Sequence, residues 1–63
     1  MSKISLKAAR VNAGLTQADV GKELGVSKQT ISHWESGRND VPAKSFLILC
    51  GLYGKTPDDI FLP

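Results

Sequence analysis

The sequence holds one cysteine and one histidine. A lone cysteine excludes a disulfide framework. One Cys with one His cannot supply the four or so ligands of a structural zinc site, so no metal is expected. Aromatics are scarce too: one Trp, one Tyr and two Phe. A stacking platform for single-stranded nucleic acid needs several exposed aromatics along a basic groove, and these are too few. The longest apolar run, Phe46 to Cys50, falls far short of the about 20 residues that span a bilayer. The N-terminus lacks the apolar stretch of a signal peptide, so the expected location is the cytoplasm, with no membrane contact. No β-branched run alternates with polar residues, so strands are not expected. Neither an internal repeat nor a low-complexity segment occurs. No nucleophile, base and orienting group come together, which excludes an enzyme. Asp58-Asp59 resemble paired carboxylates, but they follow Thr56-Pro57 and read as the start of a helix. No cofactor and no small-molecule ligand is expected.

What remains is a chain of 63 residues, 41% apolar and 22% charged, carrying a net charge of +2. That length suits one domain over residues 1–63. A domain so small buries only about 60% of the surface its unfolded chain exposes, so its stability margin is thin. The charge is unevenly spread. Residues 1–38 carry six basic and three acidic groups, and residues 39–63 carry two basic and three acidic. The basic half is a weak pointer to a polyanion-facing surface.

Helix punctuation is dense. Gly14, Gly25, Gly37 and Gly54 each follow a helical stretch, where glycine suits a left-handed end. The spacing predicts a first helix over Lys3–Ala13, with Leu6, Ala9 and Ala13 on its apolar stripe. Arg10 falls on the same stripe, and a charge there needs a partner. A second helix is predicted from Gln17, with Thr16 as N-cap, Asp19 at N3 and Gly25 as its end. A third follows from Lys28 to about Ser36, capped by Ser27. A fourth, over Ala43–Tyr53, is apolar nearly all round, so it is either central to the core or covered on one side by another chain. A fifth, very short helix is predicted after Thr56. The expected fold is thus an all-α bundle of five short helices. Trp34 and Cys50 are expected in the core, Cys50 as a small hydrophobe rather than a redox group.

The informative segment is Gln17–Ser36. Two helices of about eight residues meet across a turn of three or four, which forces the large angle of a helix-turn-helix. Gly21 supplies the small residue where they meet, and Gly25 tolerates positive φ. Val20, Leu24, Val26, Ile31 and Trp34 point inward. Lys28, Gln29, Ser32 and His33 are left on the outer face of the third helix. All are polar and none is acidic. Lysine suits guanine O6 and N7, and glutamine suits adenine N6 and N7. Such a face after a short turn is what insertion into the major groove requires.

The stretch T-Q-A-D-V-G-K-E-L-G-V-S-K-Q-T-I-S-H-W-E-S-G resembles the Xre/Cro/CI-type helix-turn-helix domains of phage repressors and bacterial regulators. The likeness covers nearly the whole chain and implies a lambda-repressor-like fold. It implies that Gln17 binds a backbone phosphate and that Lys28, Gln29, Ser32 and His33 face bases. Ser36, Arg38 and Asn39 are then near the sugar-phosphate backbone, with Ser27 and Thr30 beside them. It also implies an ion pair between Arg10 and Glu35, which answers the puzzle of Arg10. Two departures stand out. Gly21 replaces the usual alanine, at a cost in helix propensity of about 1 kcal/mol. Asp40 stands in a loop that is often basic.

The function implied is sequence-specific binding of double-stranded DNA by a transcriptional repressor or Cro-like regulator. One short domain makes few contacts, so a homodimer on a palindromic operator is expected, with Leu52, Phe61 and Leu62 as its contact surface. The alternative is a protein-interaction module on the same fold, such as an antitoxin or accessory factor.

Overall fold

The computed structural model describes residues 3–63. In chain order the elements are β1 (Ile4–Ser5), α1 (Leu6–Asn12), α2 (Gln17–Leu24), α3 (Lys28–Ser36) and α4 (Ala43–Tyr53). A single 3-10 turn (Pro57–Asp59) and β2 (Ile60–Phe61) follow. Each of the first three helices begins where a side chain can accept a bond from an orphan amide. Ser5 Oγ accepts from Ala8 N–H at 3.0 Å, and Ser27 Oγ accepts from Thr30 N–H at 3.1 Å. Thr16 and Asp19 form a reciprocal capping box, at 3.0 Å and 2.9 Å. These bonds hold the Asp19 carboxyl below its usual range. α2 ends on Gly25, which sits at φ 72, a region an L side chain rarely enters.

One core takes residues from every helix and from β2: Leu6, Ala9, Val20, Ile31, Trp34, Leu49, Cys50, Tyr53 and Ile60. Trp34 and Cys50 are buried, as expected from the spacing of Trp34 and from the small apolar side chain of Cys50. Burial raises the Cys50 thiol pKa, and the Asp59 charge adds to this. Among the described residues no helix is long and apolar enough to cross a membrane.

Three expectations are corrected. Among the described residues there are four α-helices, not five: after Thr56 the chain makes one 3-10 turn and then extends, with Ile60 at φ −122 and ψ 130. Burying Ile60 against the core outweighs continuing a helix that has only one turn to build on. Asp59 does act as a cap, since its Oδ2 accepts from Thr56 N–H at 2.9 Å. Strands are present: β1 and β2 pair in parallel, Ile4 opposite Ile60 and Ser5 opposite Phe61. For the same reason α1 starts at Leu6 rather than Lys3, because Ile4 and Ser5 are spent on the ladder and the cap. α4, expected either at the centre of the core or covered on one side, buries one side within the chain. Leu49, Cys50 and Tyr53 face inward, while Leu47 and Ile48 are 61% and 44% exposed.

The two helix-interior glycines differ in a way that matters for the turn. A Cβ on Gly21 would stand 2.7 Å from the Val26 carbonyl oxygen and 3.3 Å from Lys28 N, whereas one on Gly51 would meet nothing within 4 Å. Gly21 is therefore a close-approach residue. The propensity cost assigned to it from sequence is offset by the tight contact it permits. Gly51→Ala is expected to add about 1 kcal/mol and raise the melting temperature by about 4–8 °C. Gly21→Ala, with the same propensity gain, is expected to lower it. Thermal denaturation of the two variants checks this.

Candidate nucleic-acid interface

The outer face of α3 is set by what its inner face must do. Ile31 and Trp34 are buried, which turns Lys28 and Gln29 outward into exposed positions and leaves Ser32 and His33 part-exposed. No acidic residue shares this face, and among the described residues Lys28 makes no ion pair. The C-terminal end of α3 is folded back tightly. The His33 carbonyl accepts from Arg38 N–H at 3.0 Å, from Asn39 N–H at 3.4 Å and from the Ser36 hydroxyl at 3.2 Å. Asn39 Nδ2 lies 3.4 Å from His33 Nδ1. The side chains of Arg38 and Asn39 are exposed beside the outer face.

Behind that face lies the partner that Arg10 required. Arg10 Nε donates to Glu35 Oε2 at 2.7 Å, and Nη2 donates to Oε1 at 3.3 Å. The two side chains are 10% and 4% exposed. A third donor, Nη1, reaches the Leu15 carbonyl at 2.8 Å, so the guanidinium also fixes the chain between α1 and α2. Gln17 Nε2 donates to Glu35 Oε1 at 3.0 Å. Glu35 thus gathers α1, the start of α2 and α3 around one carboxylate. Tyr53 from α4 completes the surroundings. Its hydroxyl is buried without a partner among the described residues, and burial pushes its pKa up to about 12, with the Glu35 charge adding to the shift and the Arg10 charge opposing it.

With this geometry in view, known proteins with similar sequences are informative. Residues 6–60 match the helix-turn-helix family, nearly the whole chain. The chain belongs to the Xre/Cro/CI-type helix-turn-helix family. It is 40% identical over 60 residues to an uncharacterized HTH-type transcriptional regulator of Methanocaldococcus jannaschii, covering 95% of this chain and 91% of that protein. No solved structure matches the chain. The protein is accordingly a DNA-binding transcriptional regulator and not an enzyme.

As a helix-turn-helix regulator it brings most of the expected residues together, with some in unexpected roles. The Arg10–Glu35 pair is present. Lys28, Gln29, Ser32 and His33 share the outer side of α3. Gln17, expected to hold a phosphate, has one amide hydrogen turned inward to Glu35. Ser27 and Thr30 bond each other at 3.0 Å. Of the residues expected to meet a second copy, Phe61 and Leu62 are 48% and 43% exposed, while Leu52 is half-buried against the core. Sequence reasoning missed the Leu15 carbonyl, which bears no side-chain signal, and the unpartnered Tyr53 hydroxyl.

Two outcomes follow from the network. Glu35→Ala strands the Arg10 charge, an expected loss of about 3–5 kcal/mol in urea denaturation. Tyr53→Phe removes only an unpartnered hydroxyl, so its expected stability is equal to or above the parent's. The capping box gives a pH signature. Because the Asp19 pKa is lowered on folding, its contribution is full above the ordinary aspartate value of about 3.9 and vanishes on acidification through the lowered one. The melting-temperature gap between the parent and Asp19→Ala is expected at neutral pH and closes at low pH.

Proposed function

We propose that this regulator binds a palindromic operator in double-stranded DNA as a homodimer and represses transcription by occupancy, excluding polymerase or another regulator. The observation that carries the proposal is the exposed, non-acidic face of α3, held on a helix whose inner side is locked to α1 and α2. Lys28, Gln29, Ser32 and His33 read base edges in the major groove. Gln17, Ser27, Thr30, Ser36, Arg38 and Asn39 meet the sugar-phosphate backbone around them. Residues 1–63 act as one DNA-binding domain, and the setting is the cytoplasm. Exposed apolar side chains support a dimer: Phe61 and Leu62 on and beside β2, and Leu47 and Ile48 on α4. The same side chains favour a second reading, a protein-interaction module such as an antitoxin. Steep salt dependence of DNA binding separates the two, since phosphate contacts release counterions.

The test is selection of bound sequences from a random DNA pool, followed by footprinting. Half-sites are expected about 10 bp apart, centre to centre. A footprint on one non-palindromic half-site contradicts the dimer. Gln29→Ala is expected to cost about 1–3 kcal/mol on the selected site and to relax selectivity at one base pair per half-site. Unchanged base preferences would show that Gln29 is not a reader.

A further inference from the structure

Lys7 has no part in the contacts described so far. It lies on α1 three residues before Arg10, the spacing that sets two side chains on one helix face. Arg10 is anchored on Glu35, so Lys7 is carried to the same end of α3. A solvent-open cleft of about 240 Å³ lies there, lined by Lys7, Gln17, Ser32, Glu35 and Ser36.

The chemistry of this lining favours an anion. Glu35 is the one acid in the wall, but its side chain is only 4% exposed and both its oxygens are engaged, by Arg10 and by Gln17. Its charge is matched at contact distance by the Arg10 guanidinium. The Lys7 ammonium is exposed and makes no ion pair among the described residues. Gln17 gives one amide hydrogen to Glu35 and keeps the second. It is also the first residue of α2, where the helix dipole is positive. Ser32 stands in the same wall and also on the outer face of α3, so the cleft adjoins the face that meets base edges.

We propose that Lys7 of α1 and Gln17 of α2 together seat one DNA backbone phosphate per protomer, with Glu35 holding the Gln17 amide in place. The proposal rests on the DNA-binding reading above. It adds a contact from the first helix, and it gives the inward turn of Gln17 a purpose. A phosphate seated there sets the depth and tilt at which α3 enters the groove, and it carries no sequence information itself.

The experiment measures binding of the parent, Lys7→Gln and Lys7→Arg to two DNAs, the selected operator duplex and poly(dI-dC), over a salt series. Neutral methylphosphonates are then scanned one at a time through each half-site. Lys7→Gln is expected to keep the parent's melting temperature, because the side chain is exposed. It is expected to weaken binding to both DNAs alike and to flatten the slope of log K against log salt by about 0.9 per protomer. Lys7→Arg restores both. One methylphosphonate position that weakens the parent weakens Lys7→Gln distinctly less, because only the Gln17 contact is left there to lose. An unchanged salt slope, or a methylphosphonate profile identical to the parent's, overturns the Lys7 contact and leaves the DNA-binding reading standing. Saturable binding of inorganic phosphate to the DNA-free parent, with no change of slope in Lys7→Gln, overturns it in favour of a small-anion site. A parent protein that binds neither DNA overturns both readings.

Discussion

The Arg10 guanidinium meets the Glu35 carboxylate at 2.7 Å in a site almost closed to water, and the orientation of α3 against α1 depends on that contact. Desolvating two charges is costly, and an apolar replacement of similar volume is often as stable or more so. What such a pair supplies is direction. The planar guanidinium fork fixes the angle as well as the distance between its partners. Here it spends its donors on α3, through Glu35, and on the chain before α2, through the Leu15 carbonyl. Gln17 then closes on the same carboxylate from the start of α2. At about 0.05–0.15 kcal/mol per residue, a chain of this length holds only about 3–9 kcal/mol in total. Stranding one member of the pair consumes much of that margin.

A second constraint acts at the other side of the motif. α2 and α3 cross with the Gly21 backbone so close to the turn that a methyl group would meet the Val26 carbonyl. The Val26 amide in turn donates to the Gly21 carbonyl at 2.9 Å. The turn and the ion pair are therefore two clamps on one helix. One sets the angle between α2 and α3, and the other sets how both face α1. The outer face of α3 is what they leave free.

Much of this was legible in the residues. Thr16 with Asp19, Ser27, and the glycines after the helices marked the helix-turn-helix because each answers a local chemical need at a fixed offset. Arg10 marked the need for a partner, since a charge on an apolar stripe cannot be left alone, and the family resemblance supplied Glu35. Other features carried no such mark. A two-residue strand has no period to read, so the pairing of Ile4 with Ile60 across the whole chain was invisible. The run Phe46–Cys50 is apolar at every position, and periodicity cannot say which of its side chains face out; Leu47 and Ile48 do. Nothing in the spacing of Gln17 and Glu35 announces that an amide expected at a phosphate spends one hydrogen inside the protein.

The central claim is that one carboxylate organises three helices so that α3 meets DNA. The most direct measurement is an NMR titration of isotopically labelled protein with duplex DNA, following every backbone amide. The account predicts shifts concentrated on Lys28–His33, on Thr16–Gln17, on Ser36–Asn39 and at Lys7, with the core amides around Leu49 and Tyr53 little changed. Shifts centred instead on α4 and β2, with the amides of α3 unmoved, would contradict it.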